Sequence, residues 1–308
     1  MELPAWAWPT FIGALVAFLG LDLFAFHRKA HVPSTREALV VTGLWAGVAL
    51  AFAAVLAVAF GPSTGVAFTA GYLMEWALAV DNVFVFVALF SQFRVPPDRQ
   101  DRVLFFAILG AIVLRGVFIA AGLALVHRFA WALPAFGVLL LWAAYKISRE
   151  PARGDEVPEE ESRFARWLER RLPFTRQYDG QKFVTRVAGK LKGTPLLLVL
   201  ALLMAADLLF AIDSVPAVFA VTTEPFLVFT SNALAILGLR SMFFLLSRMV
   251  NRLRYLRTGL AVILGFVSLK LIFHSVVSFH PGVSILVVLS ILLVAVVASL
   301  RAEPPATA

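Results

Sequence analysis

The chain has 308 residues, is 61% hydrophobic and only 15% charged, carries a net charge of +8 at a mean hydropathy of +0.88, and contains no cysteine. This composition excludes a soluble globular protein, and the missing thiols exclude disulfide frameworks, thiolate metal sites, iron–sulfur clusters and cysteine nucleophiles. Spans and short loops consume nearly the whole length, so residues 1–308 are expected to form a single all-α, polytopic membrane domain.

In chain order, the apolar runs predict nine transmembrane helices, at about 10–26, 38–60, 65–93, 103–126, 129–147, 195–222, 226–247, 259–279 and 282–300. The N-terminus, MELPAWAWPT, lacks a basic leader region, so the first run is expected to be a retained span and not a cleaved signal. That span is short, whereas the third and sixth are long and expected to be tilted or interrupted. Asp22 precedes the basic group His27-Arg28-Lys29 at the end of the first span, a spacing that suits a local ion pair, with gating as the alternative role. His27, His31, His127, His274 and His280 all lie near span ends, where solvation or lipid contact is expected and ligation is not.

Of the 27 lysines and arginines, 21 fall in the loops 27–37, 94–102, 148–194 and 248–258, while the opposite loops carry only Arg128. By the positive-inside rule the basic loops are cytoplasmic, the N-terminus is outside and the C-terminus is inside. The charge therefore reports topology and not a nucleic-acid partner. Segment 148–194 opens with the acidic stretch REPARGDEVPEEES and continues with Phe164, Trp167, Leu168 and Leu172 at helical spacing among arginines. A basic amphipathic helix lying on anionic lipid is expected there.

Eight ionisable residues interrupt the spans in two sets of four, Glu75, Asp81, Arg115 and Lys146, then Asp207, Asp213, Arg240 and Lys270. A lone charge at a helix centre costs about 2.5–3.5 kcal/mol on insertion scales, so these groups must pair, meet water or bind something. EWALAVDNV, from Glu75 to Val83, aligns with DLLFAIDSV, from Asp207 to Val215, at an offset of 132 residues; in each half an Arg and then a Lys follow in the next two spans. Two three-span repeats, over 65–149 and 195–279, are joined by the basic linker, with spans one, two and nine outside them. An odd number of crossings inverts the second repeat, and inverted repeats place a binding site near the bilayer midplane.

On an ideal helix Glu75 and Asn82 project within about 20° of each other and Asp81 about 120° away; the same holds for Asp207, Ser214 and Asp213. Convergence of all three requires a local break, for which Pro216 supplies a cause by leaving the Ile212 carbonyl without a donor. Carboxylates, a carboxamide and a hydroxyl are hard donors that suit Mn²⁺, Ca²⁺ or Mg²⁺. The bland alternative pairs the four acids with Arg115, Lys146, Arg240 and Lys270 as scaffold, although such pairs seldom stabilise better than apolar packing. Gly110, Gly116 and Gly238 are expected to permit close helix packing around the arginines. No nucleophile and base pair and no phosphate loop points to an enzyme.

GYLMEWALAVDNVFVF and the long DLLFAIDSVPAVFAVTTEPFLVFTSNALAILGLRSMFFLL resemble the two signature regions of the TerC family of integral membrane proteins, as do DLFAFHRKAHVPSTREAL and the passage from YDGQKFVTR to TPLLLVL. The resemblance implies a bacterial-type inner-membrane protein of the lysine-exporter superfamily, whose members are linked to Mn²⁺ export, metal homeostasis and tellurite resistance. On matching positions it implies the metal residues Glu75, Asp81 and Asn82 together with Asp207, Asp213 and Ser214. The chain departs from the pattern at Met204, where members commonly carry a Glu three residues before Asp207, so one hard anionic ligand is missing.

The resulting expectation is a secondary transporter that exports a divalent cation, Mn²⁺ first and Ca²⁺ second, with the basic residues as switching partners of the acids and no organic cofactor. Two other classes stay open: a membrane interaction protein assisting insertion or metalation of other proteins, and an oxyanion or organic-substrate transporter in which Arg115 and Arg240 hold the cargo.

Overall fold

The computed structural model describes residues 4–26, 34–129, 131–149, 159–171, 173–175, 177–187, 189–247, 255–273 and 281–302. Among these, ten helices and one hairpin follow in order: α1 (Ala7–Phe26), α2 (Thr35–Phe60), α3 (Pro62–Gln92), α4 (Pro97–Arg128), α5 (Ala132–Arg149), α6 (Glu159–Arg171), β1 (Val184–Val187), β2 (Lys190–Gly193), α7 (Pro195–Phe219), α8 (Pro225–Leu246), α9 (Leu256–Ile272) and α10 (Pro281–Arg301). Apart from α6, each helix coincides with one of the nine predicted spans. His27, His31, His274 and His280, and the partners expected for Asp22, lie outside the described residues; His127 is exposed in the last turn of α4.

Among the described residues, α2, α4, α7 and α8 are long and apolar enough to cross a membrane, and α1, α5, α9 and α10 contain shorter apolar helices. The burial pattern is the reverse of a soluble protein's. Val40, Leu44, Val55 and Val58 form an exposed apolar face on α2, while Glu75, Asn82, Arg115, Asp207, Ser214, Thr230, Ser231 and Asn232 are buried. Only a lipid environment makes apolar outside and polar inside the lower-energy arrangement, so the chain is a polytopic helical membrane protein.

Local chemistry sets the helix boundaries. Ser34 caps α2 through a reciprocal capping box with Glu37. Proline stands in the first turn of α3, α4, α7 and α8, where its missing donor costs nothing. Gly61, at φ +99°, turns the chain sharply between α2 and α3.

α8 lies at the centre, buried almost continuously from Phe226 to Phe244. It packs on α2, α3 and α4, while α7 packs on α3 and α4, and α5 packs most extensively on α9. Close approaches give the directions. A Cβ on Gly71 of α3 would lie 2.9 Å from Ser231 Oγ, and Phe90 meets Phe243 at 5.3 Å between ring centroids, so α3 and α8 run parallel. Gly110 of α4 faces Met204, and Gly122 faces Phe219, so α4 and α7 run parallel as well. Gly137 allows α5 to reach the backbone of α9, where an added Cβ would lie 2.9 Å from both Ile272 N and Ser268 O. Gly116 faces Phe229, whereas Gly238 meets only Trp45 at an ordinary 3.7 Å, so close packing does not require glycine there.

The basic segments gather at one end of the bundle. Tyr178 donates to the Phe93 carbonyl at 2.7 Å, Arg99 and Arg102 lie over the rings of Tyr178 and Phe183, and Thr194 Oγ1 donates to Lys182 O at 2.7 Å. Burial pushes the Tyr178 phenol above its ordinary pKa, with Arg99 pulling the other way. Thr42 donates to Ser241, and Tyr255 N donates to Ser299, placing the start of α2 and the ends of α8 and α10 at the same end. α6 buries Ala165 and Leu168 in the core shared with α7 and leaves Trp167 53% exposed. The expected amphipathic helix thus packs its apolar stripe partly on protein and not wholly on lipid. The antiparallel β1–β2 hairpin behind it has no counterpart in the sequence-based expectation.

Candidate functional site

Midway along α4, Arg115 is buried to 1% exposure, and it reaches two other helices. Its Nη2 and Nε donate to the two carboxylate oxygens of Asp207 on α7, at 2.8 and 3.2 Å, a side-on pair in which one fork grips one carboxylate. Nη1 donates to Ser214 Oγ at 3.1 Å and forms an ion pair with Glu75 Oε1 of α3. Ser214 lies seven residues after Asp207, two helical turns on, so α7 offers both groups from one face.

Glu75 is fully buried, and its Oε2 has no hydrogen-bond partner among the described residues. One guanidinium therefore faces two carboxylates, and the described part of the site is one positive charge short. A buried anionic oxygen without a partner is costly, of order several kcal/mol, so the position favours any cation or proton that can reach it. Asn82 is also buried, two turns along α3 from Glu75. Asp22, Asp81 and Asp213 lie in α1, α3 and α7, but their side chains are outside the described part of the molecule. Among the described residues no three His, Cys, Asp or Glu side chains come together as a ready-made metal site; Glu75 and Asp207 come together through Arg115.

The other expected charge partners make further contacts among the described residues. Arg240 makes a two-pronged pair with Asp101, at 2.5 and 2.6 Å, which joins the last turns of α8 to the first turns of α4. Arg240 sits 33 residues after Asp207 whereas Arg115 sits 40 after Glu75, so the two arginines occupy different heights in their repeats. Lys146 is exposed on α5, with its ammonium 5.7 Å from the Trp142 ring centroid. Lys270 is buried and donates to Ser284 Oγ of α10 at 2.8 Å. α7 continues through Pro216 to Phe219, and α3 is continuous, so neither helix is interrupted. Pro216 stands in the final turn, where the lost amide donor at the Ile212 carbonyl is tolerated without ending the helix.

Sequence reasoning passed over two groups. Asp101 was hidden in the loop-like run PPDRQDR, although an acid among arginines at a helix start was a usable signal. Thr230, Ser231 and Asn232 on α8 are all buried, and Asn232 Nδ2 has no partner among the described residues; three consecutive polar residues in a predicted span were the available sign. Met204 proves to be a packing residue: a Cβ on Gly110 would lie 2.6 Å from its Cε, so the thioether fills the notch that this glycine leaves in α4.

The model of the TerC integral membrane protein family matches residues 60–305. An uncharacterized membrane protein of Myxococcus xanthus is 46% identical over 293 residues, covering 95% of this chain and 91% of the relative. A protein of Escherichia coli K12 described as a candidate membrane-bound redox modulator, Alx, is 41% identical over 294 residues, covering 92% and 91%, and an uncharacterized membrane protein of Rickettsia felis is 35% identical over 294 residues, covering 96% and 97%. No solved structure matches. The chain belongs to the TerC family of integral membrane proteins.

Proposed function

We propose that this protein is a secondary transporter that exports a divalent cation, Mn²⁺ before Ca²⁺, from the cytoplasm across a bacterial inner membrane. The observation that carries the reading is the buried Arg115 held between Glu75 and Asp207 while Glu75 Oε2 is left over. In the metal-free state the guanidinium stands in for the cation and limits the repulsion between two carboxylates. An incoming divalent ion displaces it, and Glu75, Asp207, Ser214 and Asn82, with Asp81 and Asp213 nearby in sequence, supply hard oxygen donors. The helix directions support two inverted units, because α3 with α8 and α4 with α7 are equivalent parallel pairs when α3–α5 are exchanged for α7–α9. The end of the bundle where the basic segments gather is cytoplasmic on this reading.

The oxyanion alternative loses ground, since both Arg115 and Arg240 are already engaged by carboxylates. A redox-modulating role of the kind described for Alx would have to run here without thiols, and control of a redox-active ion such as Mn²⁺ gives it a route.

The test is ⁵⁴Mn²⁺ uptake into inside-out vesicles, with Ca²⁺ and Mg²⁺ as competitors, comparing wild type with Glu75→Gln, Asp81→Asn and Asp213→Asn at equal expression. Uptake by wild type that all three variants lose supports export. Absence of uptake in correctly inserted wild type moves the function to an interaction protein or another cargo, and full uptake in the variants removes the acids from the path.

A further inference from the structure

Among the described residues, two buried polar groups of opposite character are left without partners on neighbouring helices: Glu75 Oε2, an acceptor on α3, and Asn232 Nδ2, a donor on α8. They would satisfy each other if they met, and they do not. Asn232 is 2% exposed in the most enclosed helix of the bundle, where an idle carboxamide is unfavourable unless something else uses it.

The contacts of its neighbours fix where Asn232 faces. Ser231 is turned to Gly71 of α3, one helical turn before Glu75, and Phe229 is turned to Gly116 of α4, the residue after Arg115. On a helical wheel Asn232 lies about 100° from Ser231 and about 60° from Phe229, within the sector between these two faces. It therefore looks into the crevice between α3 and α4, where Glu75 and Arg115 form their ion pair. Height agrees. α8 runs parallel to α3 and, from the Asp101–Arg240 and Gly116–Phe229 contacts, antiparallel to α4. At about 1.5 Å per residue, Asn232 stands between the levels of Arg115 and Glu75 and within about 5 Å of each along the axis.

We propose that Asn232 is a further cargo-binding residue, whose carboxamide oxygen ligates the divalent cation once the ion has displaced Arg115 from Glu75. The inference rests on the export reading and deepens it: α8 adds a neutral hard donor to the carboxylates of α3 and α7. No hydrogen bond from the described residues holds Nδ2, so a half-turn of the amide brings Oδ1 to face the crevice without breaking any such bond of that nitrogen. Amide oxygens are ordinary ligands of Mn²⁺ and Ca²⁺, and a neutral donor lets the ion leave more readily than another carboxylate would. A buried water bridging Asn232 to Glu75 is the competing account, in which the amide is only scaffold.

The experiment measures Mn²⁺ binding to the purified full-length protein by electron paramagnetic resonance, alongside the metal-free melting temperature, for wild type, Asn232→Leu, Asn232→Asp and Glu75→Gln. A cargo ligand predicts that Asn232→Leu weakens Mn²⁺ binding tenfold or more while the metal-free melting temperature holds or rises, because an idle buried amide has been removed. Asn232→Asp, of the same shape, should bind Mn²⁺ at least as tightly as wild type. Wild-type affinity in Asn232→Leu overturns the proposal, as does a lowered metal-free melting temperature with unchanged affinity. Where Asn232→Leu does not fold, weakened binding by Asn232→Asp overturns it instead. If wild type binds Mn²⁺ and Glu75→Gln does not, while both Asn232 variants match wild type, only Asn232 falls; if wild type binds no divalent cation, the export reading falls with it.

Discussion

Two arginines that look equivalent in the sequence do different work. Arg115 sits in the middle of α4, 1% exposed, and divides its donors among Glu75, Asp207 and Ser214 on two other helices. Arg240 sits in the last turns of α8 with its side chain 12% exposed and grips both carboxylate oxygens of Asp101 on α4. Among the described residues, the first arrangement leaves anionic capacity unused; the second sets one guanidinium side-on against one carboxylate. Deep burial with imperfect balance is the signature of a site that something else enters, and a side-on ion pair nearer the end of the bundle is the signature of a clasp between two helices.

The largest effect is expected from Arg115→Met, which leaves Glu75 and Asp207 buried together without their cation. We expect a loss of about 3–5 kcal/mol of stability, read as a collapse of the melting temperature in detergent, with partial recovery in the double variant Arg115→Met/Glu75→Gln. An Arg115→Met protein as stable as wild type would mean that the cluster already holds another neutralising group.

Arg240→Ala should cost less, about 1–3 kcal/mol, with metal uptake within a few-fold of wild type. A double-mutant cycle with Asp101→Asn should return a coupling of at least about 0.5 kcal/mol, since the two side chains touch. Loss of uptake in Arg240→Ala at wild-type stability would erase the distinction between the two arginines.

Gly137→Ala tests the helix frame on which both depend. The added Cβ would meet the α9 backbone at 2.9 Å, so α5 must shift, at about 1–3 kcal/mol, and the melting temperature should fall while the Mn²⁺ affinity of the protein that remains folded stays the same.

The smallest effect concerns the linker on the basic end. Hydrogen bonds from Thr185 and then Lys182 hold the exposed Asp179 carboxyl below its ordinary pKa. A depressed carboxylate pKa contributes stability that is present above the unfolded value near 3.9 and lost as pH falls through the folded value. Thr185→Ala should therefore move the Asp179 titration upward, measured by carboxyl-carbon NMR, without altering uptake at neutral pH.

The class of the molecule was legible in residue order, because lipid demands runs of about 20 apolar residues and every such run became a helix. Glu75, Arg115, Asp207 and Ser214 were also legible, since a charged or hydroxyl group inside an apolar run is a local, one-dimensional signal. Their partners were not. Pairing Arg240 with the second acidic motif required equal heights in the two halves, and height depends on where each loop lets the next helix begin. Met204 is a departure from the family pattern in the sequence, and its packing against Gly110 is visible only in the structure.

Composition and charge spacing by themselves determined that the chain lies in a bilayer, roughly where it crosses, which loops share an end and which acids cannot face lipid. Only the tertiary structure decided that one arginine bridges two motifs, that the other clasps Asp101, and that Asn232 faces the crevice between α3 and α4. Hydropathy acts through each residue's own transfer free energy and survives in linear order. Ion pairing acts over a few ångströms, between residues 40 to 139 positions apart in the chain, and exists only once the helices have packed.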